Sequence, residues 1–150
     1  RQRGLVRSIG VSNFLPAHLE RIMSETGVAP AVNQVEMHPR FPQIEQRVFD
    51  KAHGIVTQAW SPLGRGELLR EPSLAAIAER LARSVGEVVL RWHHQSGSLP
   101  LPRSASPKRQ AENLAIFDFV LSNEDMARIA ALARPDGRLC DQDPAHYEEF

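Results

Sequence analysis

Four short apolar runs, residues 5–11 (LVRSIGV), 31–37 (AVNQVEM), 54–60 (GIVTQAW) and 98–102 (SLPLP), recur along the chain with helix-period segments between them. This alternation of strand and helix patterns narrows the choice of fold more than any other feature. Strand–helix–strand units connect strands in parallel and lay the helices on the sheet. Leu19, Ile22 and Met23 mark the first helix, and Ile44, Val48 and Phe49 the apolar face of the second. Leu74, Ile77, Ala78 and Leu81 mark a third, and Ser84 to Glu87 has the spacing of a capping box. That box opens a helix with Val85, Val88, Val89 and Trp92 on one face, so Trp92 reads as core. Ser106-Pro107 supplies an N-cap and a proline at the first helical position. Leu121, Ser122 and Asp125 start a last helix, with Met126, Ile129 and Ala130 expected inward.

Composition excludes several classes of function. The 150 residues carry 18 basic and 18 acidic side chains, so no overall field recruits nucleic acid or an anionic membrane. No window approaches the roughly 18 apolar residues of a membrane span, and "RQRGLVRSIG" lacks the apolar core of a signal peptide. The single cysteine, Cys140, precludes an internal disulfide and points to the cytoplasm, while its own reactivity is not legible. The first residue is Arg1 rather than methionine, from which we expect the chain to continue a longer polypeptide.

Two parallel architectures compete: a doubly wound open sheet, or part of a (β/α)8 barrel, which usually takes about 250 residues and eight strands. This chain has about half of each. In both, ligands bind at the carboxyl edge of the strands, and here "SN", "EMHP", "SPLGRG" and "RSASPKR" follow the four strands in turn. An open-sheet phosphate-binding domain expects a glycine-rich loop after the first strand, and "VSNFLPAH" has none. Gly64-Arg65-Gly66 is no dinucleotide fingerprint, since its third glycine would fall at Leu69.

The stretch "LPRSASPKRQAEN" reads as an anion site. A helix start at Ser106-Pro107 offers free N–H groups, Arg103 and Arg109 add planar forks, and Ser104 adds a hydroxyl. Glu112 and Asn113 lie one turn on and suit an amino group such as that of adenine. The alternative is that both arginines are solvated charges and Glu112 pairs with Lys108 at i,i+4. His93-His94 reads as a polar helix face rather than a metal pair, because adjacent helical positions diverge by about 100°. His38-Pro39 reads as a strand terminator.

"VRSIGVSNF", "NQVEMHP", "AWSPLGRG" and "LPRSASPKRQAEN" together resemble, in order and spacing, the carboxyl-terminal half of the aldo-keto reductases. The resemblance runs from Leu5 to the tail. It implies an α/β fold, half of a (β/α)8 TIM barrel with four parallel strands alternating with helices. Residues 1–150 would form the carboxyl-terminal half of the reductase domain, with residues 134–150 as the segment bordering the substrate pocket. The implied cofactor is NADP(H), and the implied activity is reduction of aldehydes and ketones to alcohols.

The resemblance also implies roles. Ser12, Asn13 and Gln34 match the residues that hold the nicotinamide carboxamide, and Trp60 occupies the place of an aromatic, usually Tyr, beneath the ring. Ser61, Leu63 and Gly64 to Leu68 match the loop over the pyrophosphate. Arg103, where the family usually has Lys, matches the clamp on the 2′-phosphate together with Ser104 and Arg109. Glu112 and Asn113 match the adenine contacts. The Tyr, Lys, Asp and His of catalysis normally lie in the other half. The single tyrosine here is Tyr147 and the two lysines are Lys51 and Lys108, none in a catalytic motif. No catalytic residue is therefore assigned, and a non-catalytic NADPH-binding module is the alternative. The implied partners are a small carbonyl substrate and, through the exposed strand edges, either a second copy or a separate amino-terminal half.

Overall fold

The computed structural model describes residues 3–139 and 143–146. Cys140, Tyr147 and part of the expected substrate-side tail lie outside them. Four strands form one sheet in the order β1 (Gly10–Ser12), β2 (Val32–Glu36), β3 (Val56–Trp60) and β4 (Leu99–Pro100), every pair parallel. The helices are α1 (Pro16–Thr26), α2 (Ile44–Ala52), α3 (Pro72–Arg80), α4 (Val85–Gln95), α5 (Pro107–Leu114) and α6 (Asn123–Ala130). A kinked 3-10 stretch, Gly64–Arg70, follows β3. No helix among the described residues is long and apolar enough to cross a membrane.

The core lies on one face of the sheet. Val35 and Ala59 meet Leu74, Ile77, Val88, Val89 and Trp92, and Leu121 and Ile129 close the far side. Each buried Val, Leu or Ile among them contributes about 1.5–3 kcal/mol of transfer free energy. The opposite face is bare: Val56 and Leu99 are 46% and 49% exposed. A parallel sheet normally has both faces covered, so this one has the form of a barrel wall.

The expected capping boxes at Ser84 and Ser122 form, with Glu87 and Asp125 returning bonds to the cap N–H groups. Four expectations need correction. β1 is three residues long rather than seven, because it has only one neighbour to pair with, and Leu5 and Val6 stay exposed. β4 shrinks to two residues because Pro100 and Pro102 have no N–H to donate; only Leu101 N extends the pairing, to Ala59 O at 3.0 Å. On α2, Ile44 and Val48 face solvent and the buried face is polar. There Asp50 accepts from Gln46 Nε2 and Thr57 Oγ1, both at 2.8 Å, which binds the helix to β3. On α6, Ala130 is exposed while Ile129 is buried.

A fifth expectation changes at His93, which is wholly buried rather than on a polar face. Its Nε2 donates to Pro62 O at 3.2 Å and its Nδ1 lies 3.0 Å from Ser98 Oγ. This ring therefore ties α4 to the turn after β3 and to the start of β4. Burial drives its pKa down from 6.5 to about 3. The native state thus refuses a proton that the unfolded chain accepts between those values. Stability from this group is complete above about 6.5 and falls towards about 3, by up to about 1.4 kcal/mol per pH unit. Asp50 acts in the opposite sense, since burial raises its pKa and favours the fold on the acid side. Urea titrations of wild type and His93→Gln across this range should show the wild type losing more stability on acidification. Parallel curves would show that His93 titrates alike in both states.

Candidate functional site

Because all four strands run the same way, their carboxyl ends share one edge, and the loops that leave them meet there. Two of those loops start on strained backbone: Asn13, directly after β1, has φ +58°, and Ser61, directly after β3, has φ +50°. Asparagine tolerates the left-handed region better than most residues; serine has no such advantage.

At the β1–β3 end, four of the expected residues form one bonded group. Asn13 N and Ser12 Oγ both donate to Gln34 O, at 2.9 and 3.0 Å. Trp60 Nε1 donates to Asn13 Oδ1 at 2.9 Å, across the end of β2. Gln34 Nε2 donates to Gln58 Oε1 at 3.1 Å. With these bonds made, Asn13 offers a spare N–H pair and Gln34 a spare carbonyl, and the edge of the Trp60 indole is bonded to Asn13. A donor beside an acceptor is the complement of a primary carboxamide. Sequence reading missed Gln58, since its pairing with Gln34 depends on the register of β2 and β3.

At the β3–β4 end lies a cleft of about 740 Å³. Of the expected residues, Ser61, Leu63, Arg103, Ser104, Arg109 and Asn113 line it; Gly64 and Glu112 do not. Gly64 has φ +57°, and a Cβ there would stand 3.0 Å from the Leu68 side chain, so the turn after β3 requires glycine. Glu112 lies 3.9 Å from Lys108, which is the i,i+4 pairing weighed above. Ser106 caps α5 as expected, accepting from Arg109 N at 3.4 Å, and Ser104 Oγ accepts from Ser106 N at 3.2 Å. Arg103 and Arg109 form no ion pair within the described residues. The cleft also includes Arg65, whose placement follows from three successive left-handed residues, Gly64, Arg65 and Gly66. Forks of this kind, unpaired at the mouth of a cleft, suit phosphate oxygens.

At and just past the end of β2, Glu36 and His38 are buried, 2% and 0% exposed, with His38 Nε2 3.1 Å from Glu36 Oε1. His38 stands two residues past the end of β2, where a strand terminator is expected, and its ring is tied back to Glu36. Glu36 Oε1 also accepts from Leu139 N at 2.6 Å, which draws residues of the tail over the rim. Arg134 N donates to Arg40 O, and the Arg138 guanidinium lies 4.8 Å from the Phe41 ring. No cluster of three or more metal-ligating side chains occurs among the described residues.

Comparison with known proteins places this geometry. The family model described as "Aldo/keto reductase family" matches residues 1–134. The 2,5-diketo-D-gluconic acid reductase B of Corynebacterium sp. (strain SHS752001) is 52% identical over 151 residues, covering 100% of this chain and 54% of that protein. A glyoxal reductase of Bacillus subtilis (strain 168) is 47% identical over 133 residues, covering 89% and 48%. Among solved structures, a variant of Gox0644 in complex with NADPH superposes with a TM-score of 0.93 at 48% identity, over 99% of this chain and 54% of that one. A Bombyx mori aldo-keto reductase in complex with NADP superposes with a TM-score of 0.86 at 34% identity, over 98% and 51%. The chain spans about half the length of the curated relatives it matches.

The tail contact yields a test at this rim. Glu36→Leu removes the acceptor for Leu139 N and leaves buried His38 without its partner, at an expected cost of about 1–3 kcal/mol. Tryptic cleavage at Arg134 and Arg138 should accelerate in that variant. Glu36→Gln keeps an oxygen for Leu139 and should be cut close to the wild-type rate. Equal cleavage in all three would show that Glu36 does not hold the tail.

Proposed function

The chain belongs to the aldo/keto reductase family, and from that premise we propose that it is the NADPH-holding half of an oxidoreductase that reduces small aldehydes and ketones to alcohols. The observation that carries this reading is the pairing of two unlike recognition ends on one rim. A carboxamide-complementary group stands at Asn13, Gln34 and Trp60, and an arginine-bearing cleft at Ser61 to Asn113. On this reading Ser12, Asn13 and Gln34 orient the nicotinamide amide, and Trp60 supplies a flat apolar face for the ring. Ser61, Leu63 and Gly64 approach the pyrophosphate with their backbone. Arg103, Ser104 and Arg109 take the 2′-phosphate, with Asn113 and Glu112 towards the adenine; Glu112 reaches it by releasing its long contact with Lys108. NADPH when bound supplies the hydride; the chain's own residues fix which face of the ring is presented and keep it in register.

The substrate class follows the same family line. The two bacterial relatives are named for reducing 2,5-diketo-D-gluconic acid and glyoxal, and we extend to this chain a small polar carbonyl compound as substrate. Residues 134–150 would border its pocket. Catalysis needs a proton donor besides the hydride, and the sequence has one tyrosine, Tyr147, and two lysines, Lys51 and Lys108, none of them in a motif that resembles the family's catalytic groups. The chain therefore holds cofactor without turning it over alone. The bare sheet face, closed by a separate amino-terminal half or by a second copy, completes the barrel. The balanced charge and single cysteine fit a cytoplasmic protein.

Titration of this chain with NADPH and NADH tests the reading directly. Binding should favour NADPH, and Arg103→Ala with Arg109→Ala should reduce that preference at least about tenfold, since two charge-assisted contacts are lost. Unchanged selectivity would remove the assignment of the cleft. NADPH oxidation with methylglyoxal should be absent for the chain alone. It should appear on mixing with the amino-terminal half of the Corynebacterium relative; binding without turnover even then would favour a purely cofactor-sensing module.

A further inference from the structure

Trp60 makes a bond that a phenyl ring in its place could not make. Its indole N–H donates to Asn13 Oδ1 at 2.9 Å, and an indole nitrogen is a donor only. The partner atom is therefore the amide oxygen, and this one bond decides which way the Asn13 amide faces. Asn13 Nδ2 is left without a bond among the described residues. The root of the side chain is fixed as well: Asn13 has φ +58° and its backbone N–H donates to Gln34 O at 2.9 Å.

Resting on the cofactor reading above, we propose that Trp60 is a positioning residue whose N–H locks the Asn13 amide so that the NH2 group meets the nicotinamide carboxamide oxygen. Without that lock the amide turns freely, and in half of its orientations it sets one carbonyl oxygen against another. The lock is independent of stacking. Stacking depends on the area of the ring face, whereas the lock depends on a single nitrogen on its edge. Gln34 is the counterpart: with its Nε2 engaged by Gln58, its oxygen remains for the carboxamide NH2. Trp60 therefore acts on the cofactor twice, once through its face and once through Asn13.

A double-mutant cycle on NADPH affinity separates the two actions, using this chain, Trp60→Phe, Asn13→Ala and the pair. Trp60→Phe keeps a flat ring and removes the N–H. It should weaken NADPH binding about five- to tenfold with Asn13 present, and less than about twofold in the Asn13→Ala background, because the lock then has nothing to hold. Equal factors in both backgrounds would mean that the ring acts by stacking alone, and would overturn the proposal. Asn13→Asp tolerates the left-handed backbone and still accepts the indole N–H, yet has no N–H to give. It should keep the Trp60 indole proton as slow to exchange, by NMR in the ligand-free chain, as in wild type, while losing at least about tenfold in affinity. Affinity retained in that variant also overturns the proposal, as does an indole proton that exchanges equally fast in wild type and Asn13→Ala. A wild-type chain that binds no NADPH while its indole proton stays protected sinks the cofactor reading, and this proposal with it. Binding together with an additive cycle sinks this proposal only.

Discussion

The parallel run of all four strands is the constraint on which everything else in this molecule depends. A parallel pair cannot be joined by a hairpin, so each connection must return across the sheet as a helix. The consequence is geometric rather than chemical. Every loop that leaves a strand's carboxyl end is delivered to the same edge, and residues as far apart in sequence as Asn13 and Trp60 come within a hydrogen bond of each other. Nothing in the individual loops would bring them together. An antiparallel sheet with the same strand order would send the loops after β1 and β3 to one edge and those after β2 and β4 to the other, parting Arg103 from Ser61.

The rim is kept in register by polar groups buried beneath it, in places where apolar packing would hold less specifically. His93 spans α4, the turn at Pro62 and the start of β4. Asp50 joins α2 to β3 through Thr57, and Arg47 donates Nη1 to Ser96 O at 2.7 Å, joining α2 to the end of α4. Leucine at any of these places would fill volume and allow sliding; a hydrogen bond fixes one distance and one direction. The cost is that each group carries a pH dependence, with His93 and Asp50 pulling in opposite directions. This explains why the second helix turns a polar face inward and leaves Ile44 and Val48 outside, against the rule that apolar residues are buried.

The sequence was most legible where local signals suffice. The alternating units, the boxes at Ser84 and Ser122 and the proline-led start of α5 follow from cap chemistry and periodicity, which need no tertiary partner. It was least legible where a neighbour decides. The shortness of β1 follows from its having one partner, and that of β4 from two prolines whose effect on pairing depends on the strand beside them. The polar face of α2 was hidden because the apolar pair Ile44 and Val48 lies at helical spacing yet points outward, with Phe49 only half-buried beside it. The rim divides in the same way. Motifs located the residues on one edge, but the bonds of Trp60 to Asn13 and Gln34 to Gln58 depend on register and side-chain direction, which a linear pattern does not contain.

The division of the barrel has a chemical meaning. On the proposed reading, recognition of a dinucleotide is spread along one edge of this half: amides at one end, guanidinium groups at the other, and a glycine turn between them. Proton donation to a carbonyl needs a single group poised against the hydride, and that group can come from strands across the barrel. Binding and proton transfer would then belong to separable parts of one closed sheet. The bare face with Val56 and Leu99 is where the proposed parts would meet, because in a closed barrel the inward side chains of one half are covered by those of the other. On the proposed reading, closure would do two things at once: bury that apolar face and bring a proton donor to a nicotinamide already oriented. In a fold of this kind the interactions that complete the core are also the ones that assemble the reaction.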